Sequence, residues 1–311
     1  MKLRKTLIVF TILIVTVGML FAAGAKEERQ RIALVPPAMI SPYYASVISG
    51  AKEAVARLGY ELITLAPESE SDYIKQVEIV EDLIVEEVDG LILCAINADA
   101  IISAVKKANQ ANIPVIMFNT QNELADGVVT SYVRYDQYEG GAKVAEFVGE
   151  YFNGVANAAI IEGLPSDHTT ERKGGFSDRA KELYPGVRIV ASQPGDWERE
   201  KGMNAASNMI QANPNIDVFF GLSDEMALGA LRAVEEAGSK ARVVGFDGNP
   251  NAVESVIAGK LLCTLSIGGV ETGVKTIETM DKILKGQKVD KIINVETTVI
   301  TVDNAKDFLP K

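Results

Sequence analysis

The chain is poor in the side chains that most enzyme chemistry uses. One histidine, His168, and two cysteines, Cys94 and Cys263, are spread over 311 residues. A single histidine leaves little material for a Ser-His-Asp triad or a zinc site. The serine in Gly221-Leu222-Ser223-Asp224-Glu225 fails the G-x-S-x-G pattern at its last position. No G-x-G-x-x-G follows an apolar run, and Gly268 to Lys275 has glycines at P-loop spacing without the Gly-Lys-Ser/Thr ending, so it reads as helix. EF-hand spacing is absent as well. No catalytic residue, metal site or cofactor is therefore assigned. Both cysteines sit inside apolar runs, GLILCAI and KLLCTLSI, which marks them as buried small hydrophobes rather than a disulfide pair. Positive charge is also scarce: 31 Lys and Arg against 42 Asp and Glu give a formal charge of −11, with no basic cluster to neutralise phosphates, which excludes nucleic acid as a partner.

Only one apolar run is long. Lys2, Arg4 and Lys5 precede an uncharged segment from Thr6 to Ala25 that closes on Ala23-Gly24-Ala25 before Lys26. This predicts a secretory signal, residues 1–25, cleaved after Ala25, with an uncleaved anchor as the competing reading. No cysteine stands at the cleavage point to accept lipid. Removal of the signal takes the formal charge from −11 to −14. The remaining chain is expected to be exported, soluble and extracytoplasmic or periplasmic. It is too long for one hydrophobic core, which predicts two lobes.

From Arg31 onward, strand-like and helix-like patterns alternate. Residues 31–35, 61–65, 90–94 and 115–118 read as strands, separated by amphipathic runs at 42–58, 71–87 and 98–111. A second series follows at 158–161, 188–191, 218–222 and 243–246. The two series echo each other, which predicts an α/β fold of two doubly wound parallel-sheet lobes joined by a hinge. Within the second series, Ala227, Ala230, Leu231 and Val234 give one apolar helix face between two apolar strands. Ser223 and Asp247 stand at the exits of those strands, where open parallel sheets gather their ligands.

SDEMALGALRAV followed by VVGFDG, with KKANQANIPVIMF, GYELITLA and SQPGDWEREKG, closely resembles the sugar-binding proteins of ABC transporters on the ribose-binding branch of the type I periplasmic binding protein superfamily. Repressor effector domains share those motifs, but an export signal stands here where a repressor would carry a basic helix-turn-helix. The resemblance implies a monomeric two-lobed clamp that closes on a small neutral sugar or polyol and presents it to a membrane permease. A chemoreceptor is the alternative recipient, and an enzyme on the same scaffold is a third reading. It also implies three chain crossings, with lobes of 30–133 plus 268–295 and 134–267 plus 296–311.

Carried over residue by residue, the family's site falls on Ser41, Tyr43 and Tyr44 after the first strand and on Asn119, where ribose binders have aspartate. Thr120 and Thr170 fall on arginine positions, Trp197 on an aromatic one, Ser223 on an asparagine and Ile267 on a glutamine. Only Asp247 keeps the usual residue. These departures remove charged hydrogen bonding and point to a deoxy-sugar, a sugar alcohol or a modified pentose, and not to an anion unless Arg134 or Arg172 reaches the cleft. The side-chain chemistry fits that role: a carboxylate accepts from two vicinal hydroxyls, aromatic rings cover the C–H faces of a sugar, and an amide reads a hydroxyl in either sense. Each residue also has a structural reading. Ser223 and Asp247 can be helix N-caps, Tyr43 and Tyr44 can pack under a helix start, and Asn119 can be a turn residue. Arg172 reads as an ion-pair partner of Glu171 and Asp178, His168 as a loop residue, and Arg134 as either structural or ligand-facing. Mass spectrometry of the protein secreted from its host should give an N-terminus at Lys26; retention of residues 1–25 on membranes would favour the anchor.

Overall fold

The computed structural model describes residues 29–120 and 122–309. The signal expected at 1–25 lies outside the described residues. From Arg31 the chain runs β1 (Arg31–Val35), α1 (Pro42–Leu58), β2 (Glu61–Thr64), α2 (Tyr73–Val85), β3 (Gly90–Leu93), α3 (Ala98–Gln110), β4 (Val115–Phe118) and β5 (Ser131–Arg134). It continues with α4 (Gln137–Tyr151), β6 (Val155–Glu162), α5 (Asp167–Leu183), β7 (Gly186–Pro194), α6 (Arg199–Ala212), β8 (Val218–Gly221), α7 (Asp224–Ala237) and β9 (Arg242–Asp247). The last elements are α8 (Pro250–Ile257), β10 (Cys263–Ser266), α9 (Gly269–Leu284), β11 (Ile292–Asn294), β12 (Thr298–Ile300) and a short 3₁₀ turn.

Two doubly wound sheets result. The first has the order β11-β5-β4-β3-β1-β2 and the second β12-β10-β9-β8-β6-β7, the same order offset along the chain. Every pair is parallel except β10 with β12. Central strands such as GLIL, VIMF and VFFG are buried along their whole length, as strands covered by helices on both faces must be. The repeat seen in the sequence is therefore a repeat of architecture. Strands β5, β11 and β12 lie outside the sequence expectation, because segments of three or four residues with polar members, SYVR, IIN and TVI, carry no readable period. Arg134, expected to open the second lobe, ends β5 and pairs with Asn294 in the first sheet.

Local chemistry sets the helix ends that face the strand exits. Pro42 at the first turn of α1 and Gly59 in the left-handed region just past its end mark that helix by the usual proline-start, glycine-stop asymmetry. Asn97, Asp136, Ser166 and Ser223 each accept a backbone N–H from the first turn of α3, α4, α5 and α7. The two cysteines are free and buried. No helix among the described residues is long and apolar enough to cross a membrane.

Although α9 follows β10 of the second sheet, it packs against α1 beside the first sheet. Gly273 and Gly50 let the two helices touch backbone to backbone: a β-carbon at Gly273 would run into the Val47 carbonyl, and one at Gly50 into that of Val270. Gly273→Ala should therefore lower the stability measured by denaturant unfolding by about 1–3 kcal/mol. Gly174→Ala, whose β-carbon would meet only the Tyr138 ring at 3.6 Å, ordinary van der Waals contact, should cost less. Equal effects would mean that this helix contact is not tight.

Candidate functional site

The carboxyl ends of the two sheets face a cleft of about 660 Å³. From the first sheet's side it is lined by Ser41, Tyr43, Tyr44, Glu70, Cys94 and Asn119. From the second sheet's side come His168, Arg172, Trp197, Ser223 and Asp247. This is where the switch of chain direction in a doubly wound sheet leaves room for a ligand.

Arg172 occupies the centre. It is buried on α5, where it shares a face with Thr169, Gly175 and Phe176. Its Nε donates to Gln137 Oε1 at 2.8 Å and its Nη2 to the Tyr135 hydroxyl at 2.6 Å. Nη1 donates to the Leu222 carbonyl and meets Asp247 Oδ1 at 3.4 Å. The guanidinium lies 4.1 Å from the centre of the Phe246 ring and 5.5 Å from that of Trp197. Arg172 does form an ion pair, but with Asp247 and not with its sequence neighbours Glu171 and Asp178, since the helix turns it away from the surface and into the cleft.

Asp247 ends β9 and is the acceptor of the site. Burial pushes its carboxyl up to about 6 against the pull of Arg172. It is not a helix cap; Asn249 holds that position for α8. Behind it, the fully buried Asp224 accepts the Thr264 hydroxyl at 2.6 Å and the Asn249 N–H at 2.7 Å, which fixes the turn that carries Asp247. Burial also raises the Asp224 carboxyl, with Asp247 adding to the effect.

Three site residues have unusual backbones. Asn119, Trp197 and Asp247 have φ of 49°, 66° and 129°, and each follows or ends a strand at the cleft. A non-glycine residue in this region costs energy that the surroundings must supply, and such strain gathers at functional sites. For Trp197 the packing is visible: a β-carbon at Gly163 would occupy the place of its indole.

Asn119 is buried, donating to the Tyr44 hydroxyl at 3.4 Å and accepting from Gln137 at 3.3 Å. Tyr43 and Tyr44 stand edge to face with centroids 5.2 Å apart, both buried and both lining the cleft. Ser223 does both things expected of it, capping α7 through Met226 N–H at 3.4 Å while lining the cleft. The structure does not bring the other three residues to the cleft. Ile267 is fully buried in the core. Thr170 lies on the exposed face of α5 with its hydroxyl bonded to the Ser166 carbonyl at 3.1 Å. Thr120, beside the strained Asn119, is half-buried and is not among the lining residues. Arg134 does not line the cleft either.

His168 is corrected from loop to cleft residue: it lies in the first turn of α5, where Nε2 meets the Asn119 carbonyl at 2.7 Å across the cleft. Nearby, Asn122 donates to Asp167 at 2.8 Å, a second link between the two sides. Glu70, Tyr135 and Gln137 escaped sequence reasoning. The loop after β2 is also a strand exit, but that rule alone does not separate Glu70 from Glu68 beside it.

Comparison with known proteins gives one consistent picture. The family described as periplasmic binding protein domain matches residues 32–288. The ribose import binding protein RbsB of Escherichia coli (strain K12) is 35% identical over 273 residues, 88% of this chain and 90% of that protein. A periplasmic solute-binding protein of Actinobacillus succinogenes 130z, solved with bound D-allose, superposes with a TM-score of 0.84 at 32% identity, covering 90% of this chain and all (100%) of that one. A solute-binding protein of Agrobacterium vitis with bound D-fucose also has a TM-score of 0.84, at 27% identity over 90% of this chain and 100% of that one.

Burial and the Arg172 charge lower the His168 imidazole to about 4 from its ordinary 6.5. The unfolded chain therefore binds a proton that the folded chain refuses, and stability falls as pH drops from 6.5 towards 4. His168→Gln should flatten this acid limb in thermal melts; an unchanged limb would mean that His168 titrates normally.

Proposed function

Because the chain belongs to the periplasmic binding protein domain family, we propose that it captures a neutral sugar or polyol between its two lobes and delivers it to an ABC importer. The observation that carries the reading is the Asp247–Arg172 pair at the centre of a cleft that both sheets line. Asp247 offers a charged acceptor to hydroxyl groups, and the Tyr43, Tyr44 and Trp197 rings offer apolar faces. Among the described residues that line the cleft, an anionic ligand finds no free cation. Arg172 is committed to protein acceptors, and Arg199 at the rim is held by Glu225 through two bonds of 2.9 and 2.8 Å.

The protein acts as an exported monomer without chemistry on its ligand, and the importer's permease reads the closed form. The hinge lies at the three places where the chain passes between sheets, 135–136, 267–268 and 295–297. The hydrogen bonds from Lys143 Nζ to Thr297 O and Oγ1, at 3.0 and 2.9 Å, tie one of these crossings to α4. Closure follows from ligand contacts available only when both sides meet. A micromolar dissociation constant corresponds to about 8 kcal/mol of binding free energy.

Titration calorimetry over D-allose, D-fucose, D-ribose and sugar alcohols should find at least one binder. Asp247→Ala should weaken it roughly a hundredfold, since two charge-assisted hydrogen bonds are worth about 3 kcal/mol together. The fold should survive, because Arg172 keeps its other acceptors. Wild-type affinity in the variant would move the site elsewhere, and a new product seen by mass spectrometry would make the protein an enzyme.

A further inference from the structure

Glu70 reaches the cleft from the loop between β2 and α2. No hydrogen bond or ion pair to another described residue engages its carboxyl group, although it is largely removed from water. The groups around it are the Tyr44 hydroxyl of α1, the Cys94 thiol beyond β3, Arg172 and His168 of α5, Asp247 of β9 and Tyr73 at the start of α2. One of these is a carboxylate, and the one cation is already bonded to Gln137, Tyr135, Leu222 and Asp247. Burial and the Asp247 charge push the Glu70 carboxyl up to about 7, while Arg172 pulls the other way.

Several of the donors in the cleft are already taken. Arg172 is committed, the Asn119 amide points to Tyr44, and the His168 Nε2 faces the Asn119 carbonyl, while the Tyr43 hydroxyl is buried in the lining without a partner and can donate. Asp247 as a carboxylate only accepts. Sugar hydroxyls can donate to Asp247, but a ring oxygen only accepts and needs a donor from the protein.

We propose that Glu70 is a specificity-determining residue that meets the bound sugar as a neutral carboxyl group and donates one hydrogen bond to a ligand oxygen. The role rests on the reading of the cleft as a sugar site. Capture then carries a proton. Without ligand the Glu70 carboxyl gives up its proton at about pH 7, and under the ligand it stays a carboxylic acid, so affinity weakens as pH rises above 6. Asp247 acts in the opposite sense below that, since it must be ionised to accept.

The test is titration calorimetry of D-allose and D-fucose from pH 6 to pH 8, in buffers of different ionisation enthalpy, on the full exported protein and on Glu70→Gln and Glu70→Ala. For the wild type, affinity should fall by roughly tenfold or more across this range with uptake of up to about one proton. Glu70→Gln, whose amide donates at every pH, should restore the pH 6 affinity to within about threefold and remove the decline. Glu70→Ala should lose about tenfold at pH 6, the loss of one hydrogen bond. A wild-type profile without decline or proton uptake, or the same decline in Glu70→Gln, would overturn the role while leaving the sugar site intact. Tighter binding of D-glucosamine than of D-glucose, lost in Glu70→Gln, would overturn it too, by making Glu70 an ionised counter-charge for an amine. If no neutral sugar binds the wild type at any pH, the proposed function falls and this role with it.

Discussion

The site is organised around one buried guanidinium. Among the described residues Arg172 is the one cation at the base of the cleft, and the groups around it make sense in its presence. Asp247 stays near the neutral range instead of rising further because Arg172 faces it at 3.4 Å. The Tyr135 hydroxyl and the Gln137 amide both point to the guanidinium, and they belong to the segment where the chain leaves β5 for α4. One side chain of the second lobe thus holds the acceptor of the site and touches a crossing between lobes. A buried ion pair contributes little net stability, and Arg172 keeps the Gln137, Tyr135 and Leu222 acceptors if Asp247 is removed. The pair therefore specifies an arrangement more than it strengthens the fold.

Around that centre, the backbone does what side chains alone could not. Strands of both sheets end at the cleft, and the residues that turn out of them include Asn119 and Asp247, both with positive φ. Asp224 anchors the turn after β9 by accepting from Thr264 and from Asn249. A rigid support of this kind sets Asp247 before ligand arrives, so less ordering remains to be done on binding. Links from Asn119 to His168 and from Asn122 to Asp167 cross the cleft, so the two sides already meet.

Much of this architecture was legible in the sequence. Fully apolar strands such as Val115–Phe118 and the amphipathic 98–110 helix speak through period and composition, and the repeated series predicted the doubled sheet. Short edge strands did not speak, because three residues hold no period and their pairing is made by partners distant in sequence. At the site, the strand-exit rule points to Ser223 and Asp247 and the family resemblance to Tyr44 and Asn119, and all four reach the cleft. Arg172 was misjudged because its neighbours in sequence are acidic, whereas its neighbours on the helix face, Thr169 and Phe176, are buried. Thr170 and Ile267 rest on the family resemblance alone, and two positions along α5 decide whether a side chain meets solvent or turns into the cleft. Glu70 lies in a polar loop, PESES, where nothing local distinguishes one glutamate from a solvated one.

The central claim is that a sugar binds between the sheets on the Asp247–Arg172 pair. A crystal structure of the protein with a bound neutral sugar tests it most directly. The account predicts the sugar between the two sheets, with hydroxyls within about 3 Å of the Asp247 carboxylate and at least one face against Tyr43, Tyr44 or Trp197. A sugar bound outside this cleft, or one inside it that leaves Asp247 in contact with Arg172 alone, would contradict it.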